Sequence, residues 1–160
     1  KLLVEDSNSG YQFFEAIGKE HGIECESAGG KSNLFDLIKK TGKEETCVIA
    51  DGAAIGPEMN RLYKQVKVKS NVKLYLPESF EWIILQSGIV DEKEIRTILL
   101  EPEQYIDSKD YFSWEQYFTK LLIRCTENTY LQYRKSKLNE TYLHEKNKKI
   151  ILESIKGIKF

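Results

Sequence analysis
Nowhere in these 160 residues is there an unbroken apolar run near the ~20 residues that span a bilayer. The first residues also lack the apolar stretch of a secretory signal, so the expectation is a cytoplasmic protein with no membrane association. Cysteine is scarce: Cys25, Cys47 and Cys125 lie too far apart to form a metal-ligand cluster. Cys25 and Cys47 fall in apolar strand-like stretches and read as small core residues of a reducing compartment. The two histidines, His21 and His144, have no cysteine or carboxylate pattern around them. His21 is better placed as a helix C-terminal residue, where a protonated ring meets the negative end of the helix dipole. No G-x-S-x-G elbow and no Cys/His nucleophile pattern occurs, so hydrolase triads find no support. Internal repeats and low-complexity linkers are missing too.

What is present is ordinary in proportion: 41% hydrophobic and 31% charged residues, enough for a packed core and too apolar for a disordered chain. The length suits one domain with an appendage. Net charge is −1, but it is unevenly spread. Residues 1–119 carry 14 basic and 21 acidic side chains, residues 120–160 carry 10 and 4. An acidic body with a basic tail points to nucleic-acid contact through the tail, to docking of tail on body, or to a solvated helix with its lysines outward. The chain opens at Lys1 with no methionine before it, which leaves room for residues upstream.

Four short apolar runs rich in β-branched residues alternate with helical patterns. Leu2-Leu3-Val4 is the first. Ser7-Asn8-Ser9 then caps a helix to about His21, with Phe13, Phe14 and Ile17 on one face and Gly22 as its stop. A strand over 23–27 follows, then the turn Ala28-Gly29-Gly30 and a helix carrying Leu34, Leu37 and Ile38. The strand 46–50 leads through Gly56-Pro57 into a helix with Met59, Leu62, Tyr63 and Val66 in phase. Val72 to Leu76 is the fourth strand, stopped by Pro77. This βαβ series predicts a mainly parallel sheet of about four strands flanked by helices. Past Pro77 the pattern is helical. Ser79 and Asp91 cap two helices, residues 101–111 form an acidic connector, Ser113 opens an amphipathic helix to Cys125, and residues 130–158 continue as helix with a break near Asn139. The expected division is an α/β core over 1–88 and a helical C-terminal extension over 89–160, packed on the core.

The residues with chemical character sit where strands end. Leu2-Leu3-Val4 runs into Glu5-Asp6, and Cys47-Val48-Ile49-Ala50 runs into Asp51-Gly52. Parallel strands deliver such side chains to the carboxyl edge of the sheet, where α/β folds bind ligands. Val4-Glu5, the Gly-containing turn Ser27-Ala28-Gly29-Gly30, and Ile49-Ala50-Asp51-Gly52-Ala53-Ala54-Ile55-Gly56 follow the order of a Toprim domain, which roughly residues 1–85 resemble. That fold serves topoisomerases, primases, maturase nucleases and overcoming-lysogenization-type nucleases. The resemblance implies a glutamate ending the first strand and a D-x-D pair ending the third, which here fall on Glu5 and on Asp51 with Ala53. It further implies Mg²⁺ or Mn²⁺ as cofactor, nucleic acid as partner, and nuclease-type phosphoryl transfer. Glu5 and Asp51 are then the catalytic and metal-holding pair, and Glu81, after the fourth strand, falls where some members supply a further acid.

Ala53 departs from that pattern, since the family's second aspartate belongs at this position. Mg²⁺ takes a near-octahedral shell of oxygens and can be held by two carboxylates with water and phosphate, whereas a two-ion mechanism asks for more. Glu58 and Asp6 are the acids near enough in sequence to substitute. The departure opens a second reading, a catalytically degenerate Toprim that binds nucleic acid or a partner protein or further domain. A third also stands: Leu2-Leu3-Val4-Glu5-Asp6-Ser7 is similar to the first strand of a phosphoacceptor receiver, with Asp51 as acceptor. The fourth strand lacks that family's terminal Thr or Ser, and no Lys-Pro strand follows. Gly29-Gly30-Lys31-Ser32 resembles the end of a P-loop but lacks its first glycine, where Cys25 stands; Lys31 still suits a phosphate at a helix N-terminus. Arg134, Lys135 and Lys137, interleaved with Tyr130 and Tyr133, are the other nucleic-acid candidates. A helix packing its tyrosines and solvating its lysines is the plainer account of them.

Overall fold
A computed structural model describes residues 1–106 and 113–158. Four strands, β1 (Leu2–Val4), β2 (Cys25–Ser27), β3 (Thr46–Ile49) and β4 (Val72–Tyr75), form one all-parallel sheet in the order β2-β1-β3-β4. β1 is central and pairs on both sides, Val4 lying opposite Ser27 on one neighbour and Ile49 on the other. β4 closes the far edge against β3, with Ile49 opposite Tyr75. No strand follows β4 among the described residues.

The unbroken apolar runs of β1 and β3 follow from cover on both faces. Successive side chains point to opposite sides. Leu2, Val4 and Ile49 enter one apolar cluster, while Leu3, Val48 and Ala50 enter the other. The second cluster is closed by α2 (Lys31–Lys40) through Leu34, Phe35 and Ile38, by α3 (Gly52–Ile55) through Ile55, and by α4 (Met59–Lys67) through Leu62. The first cluster is larger. It begins with α1 (Ser9–Glu20) and α5 (Phe80–Ser87) and runs on through α6 (Lys93–Leu100), α8 (Trp114–Thr126) and α9 (Glu145–Ser154). The fully buried Phe13, Ile17, Ile84, Leu85, Phe118, Leu122, Tyr142 and Ile151 are drawn from both halves of the chain. A short α7 (Glu103–Ile106) occupies part of the acidic connector, whose residues 107–111 lie outside the described residues.

Several sequence expectations hold in detail. Ser79 and Ser113 each accept a hydrogen bond from the amide three residues on, at Trp82 and Gln116. Others are corrected. The first helix is not capped by a side chain of the Ser-Asn-Ser run. Asp6 instead takes the Tyr11 amide at 3.1 Å, and the Ser9 hydroxyl is turned to the carbonyls of Arg134 and Lys135. Asp91 caps nothing; Glu92 holds the N-cap position of α6, and Asp91 pairs with Arg96 at 3.5 Å.

The largest correction concerns residues 130–158, where a helix was expected with a single break. Residues 127–139 are an irregular loop, followed by a 3-10 turn (Glu140–Leu143) and only then by α9. Helix α8 ends where Thr126 folds its hydroxyl back on the Leu122 carbonyl and accepts the Tyr133 amide at 2.9 Å. Asn128 takes a left-handed conformation, φ 60°. The Asn139 amide then spans the loop, donating to the Tyr130 and Gln132 carbonyls at 2.9 and 3.1 Å. These bonds satisfy the backbone outside a helix, which is how Asn and Thr displace helical structure.

Candidate functional site
At the carboxyl edge the sheet reverses its winding. The chain leaves β1 towards β2 on one side, and β3 comes back on the other, so the crevice between the ends of β1 and β3 is the switch point of the fold. Glu5 and Asp51 are the residues delivered there. Glu5 continues the ladder one step past β1, its amide donating to the Ile49 carbonyl at 2.9 Å and its carbonyl accepting from Gly30 at 2.7 Å. Asp51 leads β3 into α3. Gly52 must follow it, because its amide donates to the Pro77 carbonyl at 2.6 Å, and a Cβ there would sit 3.2 Å from the carbonyl oxygens of Leu76 and Pro77. That close passage of backbones fixes the direction in which Asp51 leaves the sheet.

Five carboxylates gather around this crevice. Burial pushes the Asp51 carboxyl well above the usual range, and Glu115, Glu81, Asp6 and Glu5 add to the shift. Glu5 is raised by burial and by Asp6, against the Asp51 amide that favours its charged form. Asp6 is raised by burial and by Glu81, partly offset by the Tyr11 amide. A group ringed by like charge and removed from water binds its proton tightly unless a cation relieves it. Glu5, Asp6 and Asp51 also line a cavity of about 10 Å³ closed by Phe14, Phe80 and Ile83. That is room for about one water-sized guest.

Two lysines answer the negative charge. Lys135 reaches in from the loop 127–139 and pairs with Glu115, with its Nζ 3.9 Å from Glu81. Burial disfavours its charge, but Glu81, Glu115 and Asp51 outweigh that and raise its pKa. Lys31, at the start of α2, is near enough to Glu5 to favour its ionised form. Its Nζ lies 3.7 Å from Glu58 and 3.4 Å from the Ala54 carbonyl.

The remaining acids and bases fall as follows. Glu58 stands apart from the five, paired with Lys31 and, at 3.2 Å, with Arg61. Glu81 is close to Asp51 but only 2% exposed, and its Oε1 accepts from Tyr133 at 2.8 Å and Thr119 at 3.0 Å. Arg134 and Lys137 line a separate groove with Gln132, Leu138, Asn139 and Glu140. Tyr130 is 70% exposed while Tyr133 is buried, so the two tyrosines do not share a surface. Ala53 is half-buried in α3.

Sequence reasoning missed Glu115 and the role of Asp6. Asp6 was in view as the neighbour of Glu5. Glu115 carries no local signal, because only the packing of α8 on α5 brings it to the sheet edge.

The donor set at the crevice is hard oxygen under excess negative charge, which fits Mg²⁺ or Mn²⁺ in kind. Among the described residues no group of three or more His, Cys, Asp and Glu side chains stands at metal-holding geometry. Compared with protein-family models, with curated proteins and with solved structures, the chain matches none.

Proposed function
We propose that this chain is a Toprim-like, divalent-cation-binding protein that acts on nucleic acid by nuclease-type phosphoryl transfer. One observation carries the reading: Glu5 and Asp51 end neighbouring parallel strands at the switch point and line one small cavity. Glu5 and Asp51 hold the Mg²⁺ or Mn²⁺, which when bound neutralises charge on the phosphate oxygens. Where Glu5 does not share the metal with Asp51, it is the group to take a proton from the attacking water. Lys31 stands beside Glu5 at the start of α2, where backbone amides and a side-chain ammonium both favour a phosphate.

The test is calorimetric titration with Mn²⁺, followed by incubation of single- and double-stranded DNA and RNA with the metal-loaded protein. Binding at sub-millimolar metal, lost in Asp51→Asn, supports the site. No binding at millimolar metal ends the reading.

A second reading has its own observations. Ala53 removes an acid, and Lys135 already sets a positive charge among those that remain. Both suit a Toprim-like module that binds nucleic acid or a partner protein without cutting. Metal-independent binding of nucleic acid, unchanged in Asp51→Asn, is its expected result.

A further inference from the structure
Glu81 is a charged group in the wrong place for a surface residue. It lies in the first turn of α5, 2% exposed, beside the buried Phe80, Ile83, Ile84 and Leu85 of the same helix. A buried carboxylate is tolerated only when its oxygens are bonded and its charge is answered. Here three groups meet it: the Tyr133 hydroxyl at 2.8 Å, the Thr119 hydroxyl at 3.0 Å and the Lys135 ammonium at 3.9 Å. Thr119 and Glu115 are four apart on α8 and so share one face. Tyr133 and Lys135 are two apart on the loop 127–139. One carboxylate therefore ties α5, α8 and the loop together beside the acid crevice.

The loop is pinned on its other side by α1. Ser9 donates from its amide to the Lys135 carbonyl at 2.9 Å and from its hydroxyl to the carbonyls of Arg134 and Lys135. Gln12 donates to the Ser136 carbonyl at 3.1 Å and accepts the Leu138 amide at 2.8 Å. Backbone position is thus set by α1, and the inward face of the loop is set by Glu81.

We infer that Glu81 is a positioning residue: it clamps Tyr133 and thereby seats the Lys135 ammonium against the carboxylates of the crevice. Its Oε1 is committed to Tyr133 and Thr119, so it is the anchor of a built-in positive charge. The consequence for the crevice, that Lys135 competes with a divalent cation for the same carboxylates, rests on the function proposed above.

Reductive methylation with ¹³C-formaldehyde reads the accessibility of each lysine amine, residue by residue, in the intact protein. Lys148 is the internal control, since it is buried and paired with Glu20 and Glu145 on another part of the molecule. In Tyr133→Phe and in Glu81→Gln, Lys135 is expected to label at least threefold faster than in the parent while Lys148 is unchanged. Equal labelling of Lys135 in parent and both variants overturns the clamp, and so does a parallel rise in Lys148, which marks general loosening. Mn²⁺ titration of Tyr133→Phe and Lys135→Met, which keep every carboxylate, is expected to show at least threefold tighter binding. Unchanged affinity in both overturns the competition. A parent that binds no Mn²⁺ sinks the proposed function alone, and the labelling still decides the clamp.

Discussion
Asp51 is the residue whose chemistry is most altered by the fold. Burial raises its pKa, and each of Glu115, Glu81, Asp6 and Glu5 pushes the same way. The folded chain therefore holds that proton more tightly than the unfolded chain does. As pH falls through the raised folded value, the Asp51 contribution to stability grows, and it is complete below the ordinary value of 3.8. Above the raised folded value the contribution is lost and the ionised group is a liability. Asp51→Asn is accordingly expected to raise Tm at pH 7.5 by roughly 2–4 °C, the shift that about 1 kcal/mol gives a chain of this size. The difference should shrink as pH is lowered towards 4, which thermal melts across that range measure; a variant less stable at every pH contradicts it. Ala53→Asp is the complementary substitution. It returns an acid two residues after Asp51 and is expected to tighten Mn²⁺ at least tenfold by calorimetry; unchanged affinity would show that α3 turns that side chain away from the crevice. Glu5 and Asp51 were legible in the sequence because an apolar run ending in an acid needs only the periodicity of a strand to place it. Glu115 and the buried state of Glu81 were not, since both depend on how α8 meets α5.

At the scale of elements, strands and their intervening helices could be read because each is fixed locally by an apolar period and a stop. The boundary between α1 and β2 shows how little room that leaves. Gly18 lies in the last turns of α1, and a Cβ there would stand 2.7 Å from the Ile23 carbonyl oxygen. The same turn is closed by the Ile23 amide donating to the Gly18 carbonyl at 2.7 Å. Gly18→Ala forces these backbones apart despite the better helix propensity of alanine, and is expected to cost about 1–3 kcal/mol. Urea unfolding should show that loss, and a variant as stable as the parent would mean that the approach is slack. The loop 127–139 was illegible for the opposite reason. Tyr130, Tyr133 and the surrounding lysines give a fair helical pattern, but the bonds that undo it come from Thr126, from Asn139 and from Ser9, which is more than a hundred residues away. Asn139→Ala removes the donor to Tyr130 and Gln132 and the acceptor of the Thr141 amide, so faster amide exchange confined to 127–143 is its expected signature.

On the scale of the whole molecule, the division of the chain at residue 88 can be put to a physical test. One apolar cluster covers the α1 face of the sheet and continues without interruption through α5 into α8 and α9. Phe118 packs on Trp82 with ring centroids 4.6 Å apart, and Tyr142 and Ile151 are as fully buried as Phe13 and Ile17. The loop 127–139 adds the polar part of the same contact through Glu81, Ser9 and Gln12. A fragment ending at residue 88 would strip Phe118 from Trp82 and remove α8 and α9 from α5, and would leave the Glu81 carboxylate without Tyr133, Thr119 and Lys135. Uncovering large side chains at about 25 cal/mol per Å² of apolar surface exceeds the few kcal/mol by which a domain of this size is stable. Residues 1–88 alone are therefore expected to bind a hydrophobic dye, to keep helical far-UV dichroism and to melt without a cooperative transition. A sharp two-state melt of that fragment would show instead that the sheet and its nearest helices hold themselves together, and that the chain after residue 88 contributes the crevice's Glu115 and Lys135 without contributing to its fold.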